Sequence, residues 1–264
     1  MTLPGKTVLV IGMYTLSLSR QKSNWSSGAN RGIGLIFIKT LKERGWTTIS
    51  SVRPETRNDA SAEELAATGS RIVEIDYKDE NTIQQAAKEL QNVKLDMLIN
   101  CAGIAVQPPP WQSHFKSDLM ERFEVMTVVR CARYVLQLSS HNRVLSLPSS
   151  TSFRTYFKTA AGKSSTFLRA LEVSRNDDER FIGYKMAKAA LNQLTVTLAN
   201  DFKKNNHPIG IVAFQPGYIK TKLTGFKGTV DIVESVTGRV NLSETITPEG
   251  SPYFLSWKGE TMAW

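Results

Sequence analysis

The stretch VLVIGMYTLSLSRQKSNWSSGANRGIGL, from Val8 to Leu35, begins like a buried strand and ends like a glycine-rich loop that opens a helix. A strand, a glycine loop and a helix in this order typically bind phosphate. The backbone approaches the anion where no Cβ intervenes, and the amides at the helix start face it. Here a polar segment separates the strand from the loop. Joining Ile11 directly to Gly28 gives the continuous sequence VLVIGANRGIGL, so we interpret Gly12–Ser27 as an insertion of 16 residues.

Two explanations of this insertion stay open. The segment could loop out with Gly12 beside Gly28, because extra loop length costs closure entropy only logarithmically. Alternatively it is translated intron, because the Gly-Met-Tyr sequence at its start can be encoded by a common intron start. We favour the second explanation. In either case we expect the phosphate site to be weakened rather than absent.

Short β-branched runs alternate with helical patterns along the chain. The predicted strands are Thr7–Ile11, Thr47–Val52, Arg71–Ile75, Leu95–Ile99, Arg143–Leu147, Ile209–Phe214 and Tyr253–Trp257. The predicted helical segments are Ile33–Leu41, a helix opened by a capping box at Ser61–Glu64, a face formed by Ile83, Ala86, Ala87 and Leu90, the segment Phe123–Leu138, and a stripe of Tyr184, Ala187, Leu191, Leu194 and Leu198. This alternation predicts an α/β fold, a Rossmann-like doubly wound parallel sheet with helices on both faces. No repeat or linker divides the chain, so residues 1–264 are interpreted as one domain.

Composition narrows the classes of function. The formal net charge is +9 and 41% of the residues are hydrophobic, but no run of Lys and Arg exceeds two residues. A generally basic surface and a phosphate-bearing small ligand are therefore favoured over a nucleic-acid partner. The two cysteines lack C-x-x-C spacing and the three histidines are isolated, which argues against a disulfide framework and a metal site. No apolar run reaches membrane-spanning length, so we expect a cytoplasmic protein without a membrane partner.

Tyr184 and Lys188 are four residues apart, so on a helix both project from the same side, one turn apart. A tyrosine with an ordinary pKa of about 10 is a poor acid–base catalyst near neutrality. A neighbouring ammonium favours the phenolate and lowers that pKa. The spacing alone is more often an ordinary amphipathic pair, so its interpretation depends on the motifs around it.

Four motifs in this order resemble the short-chain dehydrogenase/reductase family: GANRGIG at 28–34, INCAGIA at 99–105, Tyr184-x-x-x-Lys188, and FQPGYIKT at 214–221. Ile11 stands where that family usually has Thr. The resemblance covers nearly the whole chain, and the tail SPYFLSWKGETMAW is similar to small single-domain carbonyl reductases. Such proteins are often homodimers or homotetramers. The resemblance implies an oxidoreductase that acts on a small-molecule carbonyl or alcohol, fairly apolar and of small to medium size.

The resemblance also implies a nicotinamide cofactor and the residues that hold it. These are Gly28, Asn30, Arg31, Gly32, Ile33, Gly34, Arg53, Asp76, Asn100, Ala102, Gly103, Lys188, Pro216, Gly217 and Thr221. An acidic residue after the second strand would hold a ribose 2′-hydroxyl, whereas arginine suits a 2′-phosphate. Arg31 in the loop and Arg53 after the strand therefore favour NADP(H) over NAD(H). The alternative for Arg53 is a solvated loop charge.

In the family the tyrosine protonates the developing alkoxide, the lysine holds the nicotinamide ribose, and a serine hydroxyl holds the carbonyl oxygen. By resemblance these roles fall to Tyr184, Lys188 and a serine. Ser150 ends a run, RVLSLPSSTS, that resembles the family's strand ending in Ser-Ser, whereas Ser165 has the more usual separation from the tyrosine. We choose Ser150, because a buried strand is needed to fix the position of the hydroxyl.

Two departures from the family pattern motivate a rival interpretation. Met126 stands where the family has an Asn that supports the lysine through a water. Residues from Val129 to about Asp178 match the family poorly, either through a splice or frame error or as a divergent substrate loop. With the interrupted loop, these departures favour the alternative of a catalytically impaired protein that keeps the fold and binds a dinucleotide or a partner.

Overall fold

The computed structural model of the protein describes residues 5–11, 29–76, 79–101, 167–169, 182–221 and 224–264. The strands of this part are β1 (Thr7–Ile11), β2 (Thr47–Val52), β3 (Arg71–Glu74), β4 (Met97–Asn100), β5 (Phe167–Arg169), β6 (Val212–Gln215) and β7 (Tyr253–Ser256). The α-helices are α1 (Gly32–Glu43), α2 (Ala60–Ala67), α3 (Glu80–Glu89), α4 (Ile182–Lys204) and α5 (Ile232–Ser243). A short 3₁₀ helix spans Pro54–Thr56.

The strands form two parallel ladders. The first has the order β3-β2-β1-β4 and the second the order β5-β6-β7. In the first ladder Ile11 pairs with Asn100, so β1 and β4 end side by side. Strand β5 lies within 8 Å of β4 by Cα positions, which places the second ladder next to the first. The predicted parallel α/β sheet is confirmed.

Burial along β1 shows why helices cover both faces. Val8 and Val10 lie in one core cluster, which also contains Phe37 of α1 and Val240 of α5. The alternate residues of the strand lie in a second cluster that contains Ile83 of α3. Because successive strand residues point to opposite faces, an uninterrupted apolar strand requires a core on each side. This satisfies the expectation of a sheet covered on both faces.

Most predicted elements are confirmed with small shifts of their ends. Strand β4 begins two residues later than expected, because Asp96 accepts a hydrogen bond from the Thr7 amide at 2.9 Å through its carboxylate before the strand begins. The start of α2 was also placed too late: the N-cap is Asp59, whose carboxylate accepts from the amides of Ser61 and Ala62. Asp caps a helix as well as Ser does, but the capping-box pattern at Ser61–Glu64 pointed to Ser61 alone.

Among the described elements, the strand β5, the helix α5 and the short 3₁₀ helix were not predicted. The buried face of α5 mixes Val236 and Val240 with the polar residues Ser235, Arg239 and Ser243, and this mixture conceals the apolar period. The predicted helix Phe123–Leu138 and strand Arg143–Leu147 lie outside the described residues, as do the insertion Gly12–Ser27 and most of the divergent segment.

Candidate functional site

The loop after β1 is tied to the end of β2. The amide of Ala29 donates to the carbonyl of Ser51 at 2.8 Å, so the loop leaves the sheet beside the second strand. Gly32 has φ +56, a left-handed conformation that glycine adopts without strain, and it is the first residue of α1. Ile33 and Gly34 continue the first turn and are both buried. The glycine residues are therefore placed where a backbone approach to a ligand is needed; Gly28 lies outside the described residues.

The start of α1 suits an anion. Three other helices of the described part each begin with an aspartate that accepts hydrogen bonds from first-turn amides, namely Asp59, Asp79 and Asp231. At α1 the N-cap residue is Arg31, and its side chain makes no capping hydrogen bond. The first turn of α1 also carries no acidic residue. Amides without a side-chain cap, at the positive end of a helix, fit the pyrophosphate of a dinucleotide.

Side chains of the loop form a network with the start of α2. Arg31 Nη2 donates to Asp59 Oδ2 at 2.9 Å and to Ser61 Oγ at 2.7 Å. Asn30, which is fully buried, donates to the same Ser61 hydroxyl at 2.5 Å. The Ser61 hydroxyl in turn donates to Asp59 Oδ1. The network fixes the loop against α2 and gives Arg31 an acidic neighbour.

Arg53 follows β2 directly and is mostly withdrawn from water. Its side chain is 13% exposed, and Nη1 lies 3.3 Å from the Glu55 carboxylate, which is itself 70% exposed. The alternative of a freely solvated loop charge is therefore wrong. The guanidinium lies on the segment next to the loop that carries Arg31, because β2 neighbours β1. Two arginines on adjacent segments suit a ligand with an additional phosphate.

Asp76 and Asn100 lie at the ends of the next two strands. The amide of Asp76 donates to the Thr82 hydroxyl at 2.8 Å, which links the end of β3 to the first turn of α3. Asn100 is the last residue of β4 and is 4% exposed. Both residues lie at the carboxyl edge of the sheet, as the sequence predicted. Ala102 and Gly103 lie outside the described residues.

Cys101 follows Asn100, and its amide donates to the Ile11 carbonyl at 2.8 Å. Burial raises the pKa of the Cys101 thiol from 9.0 to about 12, and the nearby Arg239 guanidinium lowers it in part. The thiol is therefore protonated at neutral pH. A protonated thiol is a poor nucleophile, and Cys101 is partly buried against the core cluster that contains Val8 and Val10.

The turn after β6 contains Pro216, Gly217 and Thr221. The Pro216 carbonyl accepts from the Ser235 hydroxyl at 2.8 Å, which ties the turn to α5. Gly217 has φ +78, and a Cβ there would lie 2.9 Å from Val230 Cγ2. The Thr221 carbonyl accepts from the Phe226 amide at 2.8 Å, which closes the following loop. The three residues are held at the carboxyl end of β6, where the sequence predicted a turn.

The helical register of Tyr184 and Lys188 is confirmed, because both lie on α4. Lys188 is 2% exposed, which is rare for a lysine and requires polar partners for its ammonium. Its burial fits a residue that holds a ribose inside a closed site. The side chain of Tyr184 lies outside the described part of the chain, as do Ser150, Ser165 and Met126. The approach of the phenol to the amine stays a prediction.

The topology brings the described candidates to one edge of the sheet. The glycine loop follows β1, Arg53 follows β2, Asp76 follows β3, and Asn100 ends β4. Strands β2 and β3 are added on one side of β1, whereas β4 is added on its other side. The order of the strands therefore reverses between β1 and β4. Open α/β sheets bind ligands in the crevice at such a switch point. The structure therefore fits a dinucleotide along this edge.

Sequence reasoning missed the roles of Asp59 and Ser61. Ser61 was interpreted only as part of a capping box and Asp59 was not singled out, whereas both side chains also bind the loop. The sequence did offer one signal: an acidic residue beside a predicted helix start, in a chain with an arginine in its phosphate loop. No spacing rule connects the two segments, because they are 28 residues apart.

Helices in the described part of the chain are each too short or too polar to cross a membrane. A groove of about 420 Å³ lies between β3 and α3 and is lined by residues that include Arg57, Glu74, Gln85 and Glu89. Of the candidate cofactor-binding residues that the structure describes, none lines this groove, although Thr82, the partner of Asp76, does.

Comparison with known proteins agrees with this architecture. The (-)-isopiperitenone reductase of Mentha piperita is 23% identical, and the match covers 86% of this chain and 92% of the relative. The NADPH-bound carbonyl reductase from chicken fatty liver superposes with a TM-score of 0.77 at 24% identity, covering 99% of this chain and 100% of that one. The carbonyl reductase Sniffer of D. melanogaster gives a TM-score of 0.74 at 20% identity, with coverages of 99% and 100%.

A family model described as enoyl-(acyl carrier protein) reductase matches residues 28–251, which is most of the chain. The match begins at the glycine loop and extends past the turn after β6, so it contains every described candidate residue. The chain therefore belongs to the short-chain dehydrogenase/reductase family of oxidoreductases.

Proposed function

We propose that the protein is an NADP(H)-dependent oxidoreductase that reduces a carbonyl to an alcohol, or catalyses the reverse reaction. The observation that carries this proposal is the start of α1, where first-turn amides without a side-chain cap lie next to Arg31 at the switch point of the sheet. A dinucleotide pyrophosphate is the anion that such a strand, loop and helix accommodate.

The choice of NADP(H) over NAD(H) rests on charge. Arg31 and Arg53 lie on adjacent segments, and no Asp or Glu ends β2. The carboxylate of Glu55, which is closest in sequence, is largely exposed and pairs with Arg53. The chicken carbonyl reductase, which has the same fold, is bound to NADPH. An arginine pair next to a ribose favours a 2′-phosphate over a hydroxyl.

The chemistry assigned to the chain is acid–base catalysis and positioning. Bound NADPH would supply the hydride that a carbonyl carbon accepts. Tyr184 is proposed to give its phenolic proton to the carbonyl oxygen, and Lys188 to keep the tyrosine pKa low while holding the cofactor ribose. A serine hydroxyl, Ser150 in preference to Ser165, is proposed to donate to the same oxygen.

The test is the variant Tyr184→Phe, with Tyr253→Phe as a control at the start of β7. We expect Tyr184→Phe to reduce the rate of NADPH-dependent ketone reduction by at least a factor of about 10², because general acid–base catalysis contributes that much. Its affinity for NADPH, measured by fluorescence titration, should stay within twofold. Turnover equal to wild type in Tyr184→Phe would refute the assignment.

A second candidate is a dinucleotide-binding protein without turnover. Met126, the interrupted phosphate loop and the poorly matching residues 129–178 favour it. It predicts saturable NADPH binding with no consumption of NADPH across a panel of ketones and aldehydes. Consumption of NADPH with any member of the panel would exclude it.

The remaining expectations also stand as proposals. We propose a single domain, a small-molecule substrate and a homodimer or homotetramer in the cytoplasm, with no nucleic acid or membrane as partner. The insertion Gly12–Ser27 is proposed to weaken the phosphate site.

A further inference from the structure

The network around Arg31 occupies the part of its guanidinium that a phosphate would use. Two hydrogen bonds that Arg31 donates to the start of α2 leave from one nitrogen, Nη2: one to Asp59 Oδ2 at 2.9 Å and one to Ser61 Oγ at 2.7 Å. The pair is partly buried, with 30% of the arginine side chain and 36% of the aspartate side chain exposed. Solvent therefore screens the interaction only in part.

A guanidinium binds phosphate best with two parallel N–H groups. It offers two such forks, one formed by Nε and Nη2 and the other by Nη1 and Nη2, so each fork includes a hydrogen of Nη2. With both Nη2 hydrogens engaged by Asp59 and Ser61, a phosphate approaching Arg31 would lose one bond of either fork. It would also meet the negative charge of Asp59.

The two oxygens of Asp59 have separate tasks. Oδ1 accepts from the amides of Ser61 and Ala62 at 3.0 and 3.1 Å and so caps α2. Oδ2 accepts from Arg31. An asparagine at this position can keep the capping oxygen while its amide nitrogen replaces the oxygen that holds Arg31. The charge and the cap can therefore be tested separately.

We propose that Asp59 is an internal counter-ion that competes with the 2′-phosphate of NADP(H) for Arg31, and so sets how strongly the protein prefers NADP(H) to NAD(H). This inference rests on the proposed function, because it requires a dinucleotide at the switch point. A ribose with a free 2′-hydroxyl carries no charge there, so the carboxylate penalises only the phosphorylated cofactor.

The experiment is titration of the full chain with NADPH, NADH and 2′,5′-ADP, followed by fluorescence or calorimetry. The variants are Asp59→Asn and Asp59→Ser, which both retain a good N-cap residue. Glu64→Gln is the matched control, because it makes the same change in net charge on the same helix and removes the Lys39–Glu64 pair, 2.8 Å long, which also joins α1 to α2. Urea unfolding of each variant checks that the fold is intact.

We expect both Asp59 variants to bind NADPH and 2′,5′-ADP more tightly, by about five- to tenfold for the loss of one like charge beside a phosphate. NADH affinity should be unchanged or weaker, and Glu64→Gln should behave as wild type. Unchanged or weaker NADPH binding in both Asp59 variants, with wild-type binding intact, overturns the counter-ion role and leaves the proposed function standing. If no variant and not even the wild type binds NADPH, the proposed function fails and this inference fails with it.

Discussion

At the scale of single residues, Gly217 has the most sharply defined requirement. Its φ of +78 is left-handed, and a Cβ would lie 2.9 Å from Val230 Cγ2 and 3.0 Å from Trp257 Nε1. Conformation and space therefore both demand glycine after β6. Gly225 provides a comparison, because its φ is +58 and a Cβ there would have no heavy atom of the described residues within 4 Å.

We predict that Gly217→Ala destabilises the protein more than Gly225→Ala does. The left-handed backbone costs about 1–2 kcal/mol in each variant, and overpacking adds about 1–3 kcal/mol only at Gly217. The measurement is the free energy of unfolding from urea titrations monitored by tryptophan fluorescence. Equal losses in the two variants would contradict the described packing of this turn.

The phosphate loop could be predicted from the sequence, but the hydrogen-bond partners of its side chains could not. Arg31 was predicted to bind phosphate because its position in the motif is local information, and that role stays a prediction. Its pairing with Asp59 depends on how α2 packs beside the loop, and no local pattern encodes that approach. The burial of Lys188 could not be predicted either, since helical spacing predicts the side of the helix on which it lies but not how much of its surface is exposed.

At the scale of elements, the C-terminal ends of helices α1 and α5 are joined by a polar contact. Arg44 Nη1 lies 3.1 Å from Glu244 Oε2, and Trp46 Nε1 donates to the other carboxylate oxygen at 3.3 Å. The Arg44 and Glu244 side chains are 27% and 26% exposed, so water screens this pair less than a surface pair. The exposed pair Lys39–Glu64 joins α1 to α2 in a similar way.

We predict that Glu244→Gln lowers the free energy of unfolding by about 0.5–1 kcal/mol, because the charge that holds Arg44 is lost while most of the side chain remains. The matched variant Glu64→Gln should change it by less than about 0.5 kcal/mol, because both partners are solvated. Urea midpoints of the two variants measure the difference. A loss at Glu244 no larger than the loss at Glu64 would contradict this prediction.

Elements whose buried positions are apolar were predicted well, whereas elements whose buried face also carries polar residues were not. Strand β1 was predicted with its observed bounds, Thr7–Ile11, and the predicted face of helix α3 ends within one to three residues of the observed bounds. Helix α5 was missed, because Arg239 and two serines share its buried face with valines. The guanidinium of Arg239 is tolerated there because it lies 4.8 Å from the Phe37 ring centroid and donates to the Ser235 carbonyl.

At the scale of the whole molecule, strand order determines where a ligand can bind. The order β3-β2-β1-β4 places the ends of four parallel strands together, with the uncapped start of α1 above them. The sequence predicted the parallel sheet, because strand and helix signals alternate. It could not predict that Asp59, at the start of α2, would lie against the loop after β1, because this contact forms only when the helix packs beside the loop.

The central claim is that a nicotinamide dinucleotide binds along the carboxyl edge of this sheet. Hydrogen–deuterium exchange of the full chain, with and without NADPH, tests that location directly, because bound ligand slows the opening of the backbone it contacts. We predict slower exchange confined to the segments after β1, β2, β3, β4 and β6. Gln85 and Glu89 of α3, which line the groove between β3 and α3, provide an internal comparison, since their amides should exchange at an unchanged rate. Protection restricted to that groove, or no protection at the start of α1 with saturating NADPH, would contradict the account.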